Sequence, residues 1–224
     1  MNLFSQLAAE PTHEEIYPGA VLMRGLALAQ DAEFFAAMES ILAAAPLHHS
    51  TTPSGLPMSV MVSDCGTPEA FRRRWGPHRQ VLVDGDARWD PQNPSVRRMW
   101  PPMPRVLVEF ALRCAVRSGF PHFRPDTCHI NRYQAGSKLG IHQDRHEFDL
   151  YQPIVSISLG LECIFLLGGF QRTDKTKRIL LEHGDVIVWG GPSRMRFHGV
   201  QPLKPGHHPL TGPYRYNLTF RKVA

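Results

Sequence analysis

The second half of this chain is written as short apolar runs, and that punctuation limits the folds open to it. After Phe120 come Cys128 to Tyr133, Ile154 to Gly160, Cys163 to Leu167, Arg178 to Glu182, Asp185 to Gly190 and Tyr214 to Lys222, separated by stretches rich in Gly, Pro, Asp and Lys. Runs of that length with such boundaries read as strands. Little helical sequence lies between them, so they predict an antiparallel sandwich or jelly roll rather than a parallel sheet with crossover helices.

The half before Phe120 reads as helices and loops. Asp31 to Ala45 carries Phe34, Phe35, Met38, Ile41 and Leu42 at helical spacing, with Asp31 as N-cap and Pro46 ending the run. A second helix is predicted from Pro104 to Arg117, with Val106, Leu107, Phe110, Ala111 and Cys114 on one face and Gly119 after its end. Between them, Thr51 to Pro102 is too polar for a second core and too aromatic for a plain linker, which suits a lid or recognition segment. The class is thus α+β, mainly β. A chain of 224 residues is expected to form one domain, in which residues 1–119 supply helical segments and lid to a core of residues 120–224.

Composition narrows the setting. No apolar run approaches the roughly 20 residues of a membrane span, so no membrane partner is expected. Met1 to Pro11 lacks the basic start and apolar stretch of a signal peptide, which predicts a cytoplasmic protein, read here as a monomer. Cys65, Cys114, Cys128 and Cys163 form no C-x-x-C pair and fit a reducing compartment as small core residues. The net charge of +5 suits a polyanionic partner without demanding one. Phe71-Arg72-Arg73-Arg74-Trp75 sets cations beside rings, a combination that can meet phosphates and stack on bases, although a solvated basic loop has the same composition.

The chemistry starts at His142-Gln143-Asp144. Two ligand-type side chains at i and i+2 on extended backbone point to one face. His198 would have to join them through the fold. Two imidazoles and one carboxylate on one side of a metal suit Fe(II) and oxygen activation, with zinc hydrolase chemistry as the competitor. With 12 His in the chain, H-x-D alone is a weak signal. Arg215-Tyr216-Asn217-Leu218-Thr219-Phe220-Arg221 adds to it, because strict alternation puts Arg215, Asn217, Thr219 and Arg221 on one face and Tyr216, Leu218 and Phe220 on the other. Guanidiniums on an interior face are costly to desolvate unless an anion meets them, and a small dicarboxylate fits. Asn131 and Tyr133 share a face on an earlier strand and offer an amide and a phenol.

These residues resemble the AlkB family of Fe(II)/2-oxoglutarate-dependent oxidative demethylases. The resemblance runs from about Asp126 to Arg221 through Ile130-Asn131-Arg132-Tyr133, His142-Gln143-Asp144, Ser156-Ile157-Ser158-Leu159-Gly160, Leu181-Glu182-His183-Gly184-Asp185, Trp189-Gly190-Gly191 and Arg215 through Arg221, with a weaker echo at Met58-Ser59-Val60, Cys65-Gly66 and Trp100 to Pro104. It implies a double-stranded β-helix (jelly roll) preceded by N-terminal helices and a nucleotide-recognition lid. It also implies that His142, Asp144 and His198 ligate Fe(II) and act as the catalytic centre. The co-substrate 2-oxoglutarate would chelate the same iron, with Arg215 on its C5 carboxylate, Asn131 and Tyr133 beside it, and Asn217 and Arg221 near its C1 end. Ser156 is a further pocket-lining candidate.

The implied activity is repair of alkylated DNA, single- or double-stranded, with RNA as a further substrate. N-methyl groups on bases such as 1-methyladenine and 3-methylcytosine would be hydroxylated and released as formaldehyde, with succinate and CO2 as the other products. Reaching such a methyl requires a flipped or single-stranded base. Arg172 matches a substrate-side position of the family, and Phe71 or Trp75 would supply the stacking ring. The pattern breaks two residues beyond Asp144, where the family has an acid and this chain has His146, with Glu147 next; either could take the base-reading role. A hydroxylase or demethylase of a protein or small molecule would use the same motifs, and a non-catalytic nucleic-acid-binding module is the reading from another class.

Overall fold

The computed structural model describes residues 12–51, 55–75, 81–82, 97–98, 100–145, 147 and 149–224. A hairpin of β1 (His13–Tyr17) and β2 (Ala20–Met23) precedes α1 (Asp31–Ala44), β3 (His48–Thr51), β4 (Pro57–Gly66), α2 (Pro68–Trp75), the two-residue strands β5 (Val81–Leu82) and β6 (Arg97–Arg98), and α3 (Arg105–Arg117). Eight strands follow: β7 (Thr127–Tyr133), β8 (Leu139–His142), β9 (Ile154–Gly160), β10 (Cys163–Leu167), β11 (Lys177–Leu181), β12 (Val186–Trp189), β13 (His198–Val200) and β14 (Arg215–Arg221).

The larger sheet has eight strands in the order β1-β2-β12-β9-β14-β7-β4-β3, and the smaller has four in the order β11-β10-β13-β8. Their pairings are antiparallel, as a jelly roll requires. One core fills the space between the sheets, where Leu22, Val62, Tyr133, Ile154 and Trp189 meet Phe165, Leu167, Leu181 and Val200. The other lies behind the larger sheet, where Ile130, Val155, Ile157, Leu218 and Phe220 pack on Phe34, Met38 and Ile41 of α1 and Leu107, Phe110 and Cys114 of α3. Central strand β9 is therefore buried at every position, with alternate residues serving the two cores. β14 does the same with chemistry on one side: Tyr216, Leu218 and Phe220 go to the helices, while Arg215, Asn217, Thr219 and Arg221 face the gap between sheets.

The helices stand where apolar periodicity put them, although Gln30 rather than Asp31 is the N-cap of α1 and no side chain caps it. The first half departs from the reading as helices and loops by sending four strands into the larger sheet. Pro57–Gly66, expected within the lid, pairs along β7 and buries Val60 and Val62 on one face. β1 and β2 extend the opposite edge through a turn at Gly19, whose φ is +77° and whose missing Cβ would lie 2.6 Å from the Gly190 carbonyl. Any side chain there would separate β2 from β12. All four cysteines are buried thiols. Among the described residues no helix is long and apolar enough to cross a membrane.

Candidate functional site

Between the sheets a cavity is lined by His142, Asp144 and His198 at one side and by Asn131, Tyr133, Ser156, Arg215, Asn217 and Arg221 from the larger sheet. His142 ends β8 and His198 begins β13, and the two are direct partners across that antiparallel pair. Their rings lie 4.4 Å apart between centroids. Asp144 follows two residues after His142, where the chain leaves the strand. His142 Nε2 is 3.7 Å from Asp144 Oδ1, and His198 Nε2 is 3.5 Å from Asp144 Oδ2. One ligand atom from each residue falls within 4.8 Å of the others.

The donor set fits a metal. His142 Nδ1 meets the Gly140 carbonyl at 2.8 Å and His198 Nδ1 meets that of Arg196 at 3.1 Å, so each Nδ1 carries the proton and each Nε2 offers a lone pair. Asp144 Oδ2 is buried without a hydrogen bond. Burial pushes the Asp144 carboxyl up, but Arg221 and the two imidazoles outweigh it and hold the group well below the ordinary carboxylate range. Burial, and then neighbouring His198, lowers the His142 pKa and keeps that ring neutral. A charged carboxylate with two imidazole Nε2 atoms on one side is what a divalent cation with open positions requires.

Deeper along β14, Arg215 is 1% exposed. Its Nη2 donates to Ser158 Oγ at 3.0 Å, its guanidinium lies 5.0 Å from the centre of the Tyr133 ring, and its Nε and Nη1 are buried with no partner. Two orphaned donors on one planar fork fit a carboxylate. Burial pushes the Tyr133 phenol up to about 12, so it stays protonated. Asn217 donates to Ser156 Oγ at 2.6 Å and to the Ile157 carbonyl at 3.2 Å, and accepts from Thr219 Oγ1 at 2.8 Å, which fixes the cavity floor. Asn131 reaches Asn217 Oδ1 only at 3.5 Å.

At the other end, Arg221 Nη1 lies 3.1 Å from Asp144 Oδ1 and 3.2 Å from Glu147 Oε1. Burial opposes its charge, yet Asp144, Glu147 and Asp64 together raise its pKa. Glu147 is itself buried, its other oxygen 3.1 Å from Arg194 Nη2. Arg194, 2% exposed, also donates to the carbonyls of Asp144 at 2.9 Å and Gln152 at 3.0 Å. It thereby clamps the Asp144 loop to the segment carrying His198.

The expected substrate residues are scattered. Glu147 is turned inward onto two arginines instead of outward to a base, and His146 lies outside the described residues. Phe71 is 1% exposed with its ring edge-on to Trp100, so it anchors α2 and offers no open face for stacking. Trp75 ends α2, and its side chain lies outside the described residues. Arg172 is exposed on the β10–β11 loop. That loop is tied to the metal segment, since Gly168 N–H donates to the Phe197 carbonyl at 2.7 Å and Phe197 N–H to that of Gly169 at 2.9 Å. Sequence reasoning missed Arg194, Ser158 and the lining rings of Phe165 and Trp189. Ser158 was visible as the second serine on one face of an otherwise apolar strand. Arg194 carried no local signal.

Comparison with known proteins resolves the choice of metal. Residues 19–221 match the 2OG-Fe(II) oxygenase superfamily. Over all 224 residues, and 98% of its relative's length, the chain is 44% identical to the alpha-ketoglutarate-dependent dioxygenase AlkB of Escherichia coli K12. The chain belongs to the AlkB family. A relative from Homo sapiens, the nucleic acid dioxygenase ALKBH1, is 35% identical over 127 residues, 57% of this chain and 32% of that one. The solved structure of OsALKBH1 superposes with a TM-score of 0.73 at 28% identity, covering 94% of this chain and all of that one. As an AlkB-family protein this is a 2-oxoglutarate-dependent dioxygenase that uses Fe(II). His183, beside the family's Leu181 to Asp185 run, is a structural group: its Nδ1 accepts from Gly160 N–H and its Nε2 faces Asp31 Oδ2, both at 2.9 Å.

Proposed function

We propose that this chain repairs alkylated nucleic acid, removing N-methyl groups from bases such as 1-methyladenine and 3-methylcytosine in DNA, with RNA as a second substrate. It would act as a monomer on a flipped or single-stranded base. The observation that carries this reading is one cavity with an H-x-D…H centre at one side and a buried arginine holding two unpartnered donors at the other. The names and demethylase resemblance of the family supply the substrate class.

Bound Fe(II) and 2-oxoglutarate supply the oxygen chemistry: one atom of O2 enters succinate as CO2 leaves, and the other converts the N-methyl to N-hydroxymethyl, which breaks down to formaldehyde and the unmethylated base. The chain's own residues do the positioning. His142, Asp144 and His198 hold the iron on one side. Arg215 grips the C5 carboxylate, with Tyr133 and Asn131 beside it, and Asn217 fixes the strand between. Arg221 keeps Asp144 ionised and aimed. The apolar rings of Phe165 and Trp189 limit water around the reacting methyl. Arg172, exposed on its loop, would meet a phosphate on the approaching strand.

The test is a panel of oligonucleotides, each carrying one methylated base, given to the Fe(II)-loaded protein with 2-oxoglutarate. Formaldehyde and succinate should appear in equal amounts. Succinate release driven by a protein or small molecule, with no formaldehyde from any oligonucleotide, would overturn the assignment.

A further inference from the structure

One ionisable pair beside the cavity is unused by this account. His129 of β7 and Asp64 of β4 are direct partners across their antiparallel pair, and His129 Nδ1 lies 2.6 Å from Asp64 Oδ1. The His129 side chain is 19% exposed and that of Asp64 9%. On its other side His129 is the direct partner of Thr219, a cavity-lining residue of β14. Alternation puts His129 on the same inward face as Asn131 and Tyr133, one step of about 7 Å further along the strand.

That step leads away from the clamp. Arg215 pairs with Tyr133 and Arg221 with Thr127, so the inward row runs from the carboxylate clamp past Asn131 to His129 and the Arg221 end, where Asp144 is held. Asp64 stands two residues ahead of Gly66, where β4 gives way to α2 and the lid segment. A substrate base must reach the metal from the side that the co-substrate does not fill. The pair stands at the end of that row opposite the Arg215 clamp.

We infer that His129, oriented by Asp64, reads the base: its Nε2 accepts a hydrogen bond from an exocyclic amine next to the methylated ring nitrogen. Asp64 accepts from Nδ1–H, which selects the tautomer whose Nε2 carries a lone pair, and it fixes the plane of the ring. An acceptor there favours 1-methyladenine and 3-methylcytosine, which present an amine beside the methylated nitrogen. It disfavours 3-methylthymine and 3-methyluracil, whose methylated nitrogen is flanked by carbonyl oxygens on both sides and would set two acceptors against each other. The inference rests on the nucleic-acid reading above.

The experiment measures kcat/KM for formaldehyde release from four single-stranded oligonucleotides, each with one of those lesions, and takes the amine-to-carbonyl ratio as readout. The ratio cancels any general loss of active protein. The wild type should favour the amine lesions by about tenfold or more. His129→Leu should bring the ratio close to one, Asp64→Asn should lower it by a smaller factor, and His129→Gln, which keeps an acceptor, should retain most of it. A ratio that His129→Leu leaves unchanged, or a wild type that prefers the carbonyl lesions, overturns the role of His129 while demethylation stands. Failure of the wild type on all four, with 2-oxoglutarate still turned over, overturns the nucleic-acid reading and this inference with it.

Discussion

The two arginines that end β14 occupy the same face of one strand, six residues apart, and the fold treats them in opposite ways. Arg221 is answered by the protein's own carboxylates, Asp144 and Glu147. Arg215 meets a serine hydroxyl and the Tyr133 ring, no carboxylate among the described residues, and keeps two buried nitrogens without partners. A buried guanidinium stripped of water and left half satisfied is stable only if something else completes it, whereas one paired internally is part of the scaffold. The difference separates a ligand clamp from a brace. It also refines the expectation that both arginines attend the co-substrate, since Arg221 Nη1 is committed to two carboxylates while its Nε is buried without a partner.

Removing the charge that the brace holds should have the largest effect. Asp144→Ala deletes a metal ligand and strands Arg221, so iron affinity should fall by more than the roughly 100-fold that losing a residue behind the ligands costs, read by iron titration. Next, Arg215→Ala should raise the KM for 2-oxoglutarate about 100-fold, and Arg221→Ala no more than about tenfold. Equal increases in the two variants would erase the contrast. Glu147→Gln should lower unfolding stability by about 3 kcal/mol, because Arg194 and Arg221 both lose a buried anion; denaturant melts check this. Arg215→Lys keeps the charge but loses the fork, and a KM increase of about tenfold would sharpen the clamp reading.

The smallest effect is expected from Tyr133 in alkali. Its folded pKa is raised by burial to about 12 from an ordinary 10, so its contribution is complete below pH 10 and is lost as pH rises towards 12. Stability at pH 11 should be lower by on the order of 1 kcal/mol than that of Tyr133→Phe, each referenced to its own value at pH 9.

What could be read from the sequence was whatever repeats at short range. The alternation of Arg215 to Arg221 set both faces of β14, and His142 and Asp144 were visible at i and i+2. α1 and α3 followed from their apolar faces. His198 carried no local mark: it reaches the site because β13 lies beside β8, a pairing set by sheet order. Glu147 read as a base-reading candidate rather than a brace, since its partner Arg194 is 47 positions away and only the folded chain shows both buried. β1, β2 and β3 escaped because they are short, and β1 and β3 also carry His, Glu, Ser or Thr at the sheet edges, where a solvated face leaves a weak pattern, while the ten-residue β4 mixes Pro, Ser and Asp into its apolar run. Phe71 misled for the reverse reason: a ring among arginines looks available, yet Trp100 covers it.

The hydrogen bonds between Gly168, Gly169 and Phe197 have a consequence for how such a chain can diversify. They splice the exposed loop carrying Arg172 to the backbone one residue before an iron ligand. Lengthening that loop at its root would disturb the catalytic centre, so changes in what it touches are confined to side chains at its tip. The fold therefore permits new surface chemistry there by substitution and resists it by insertion.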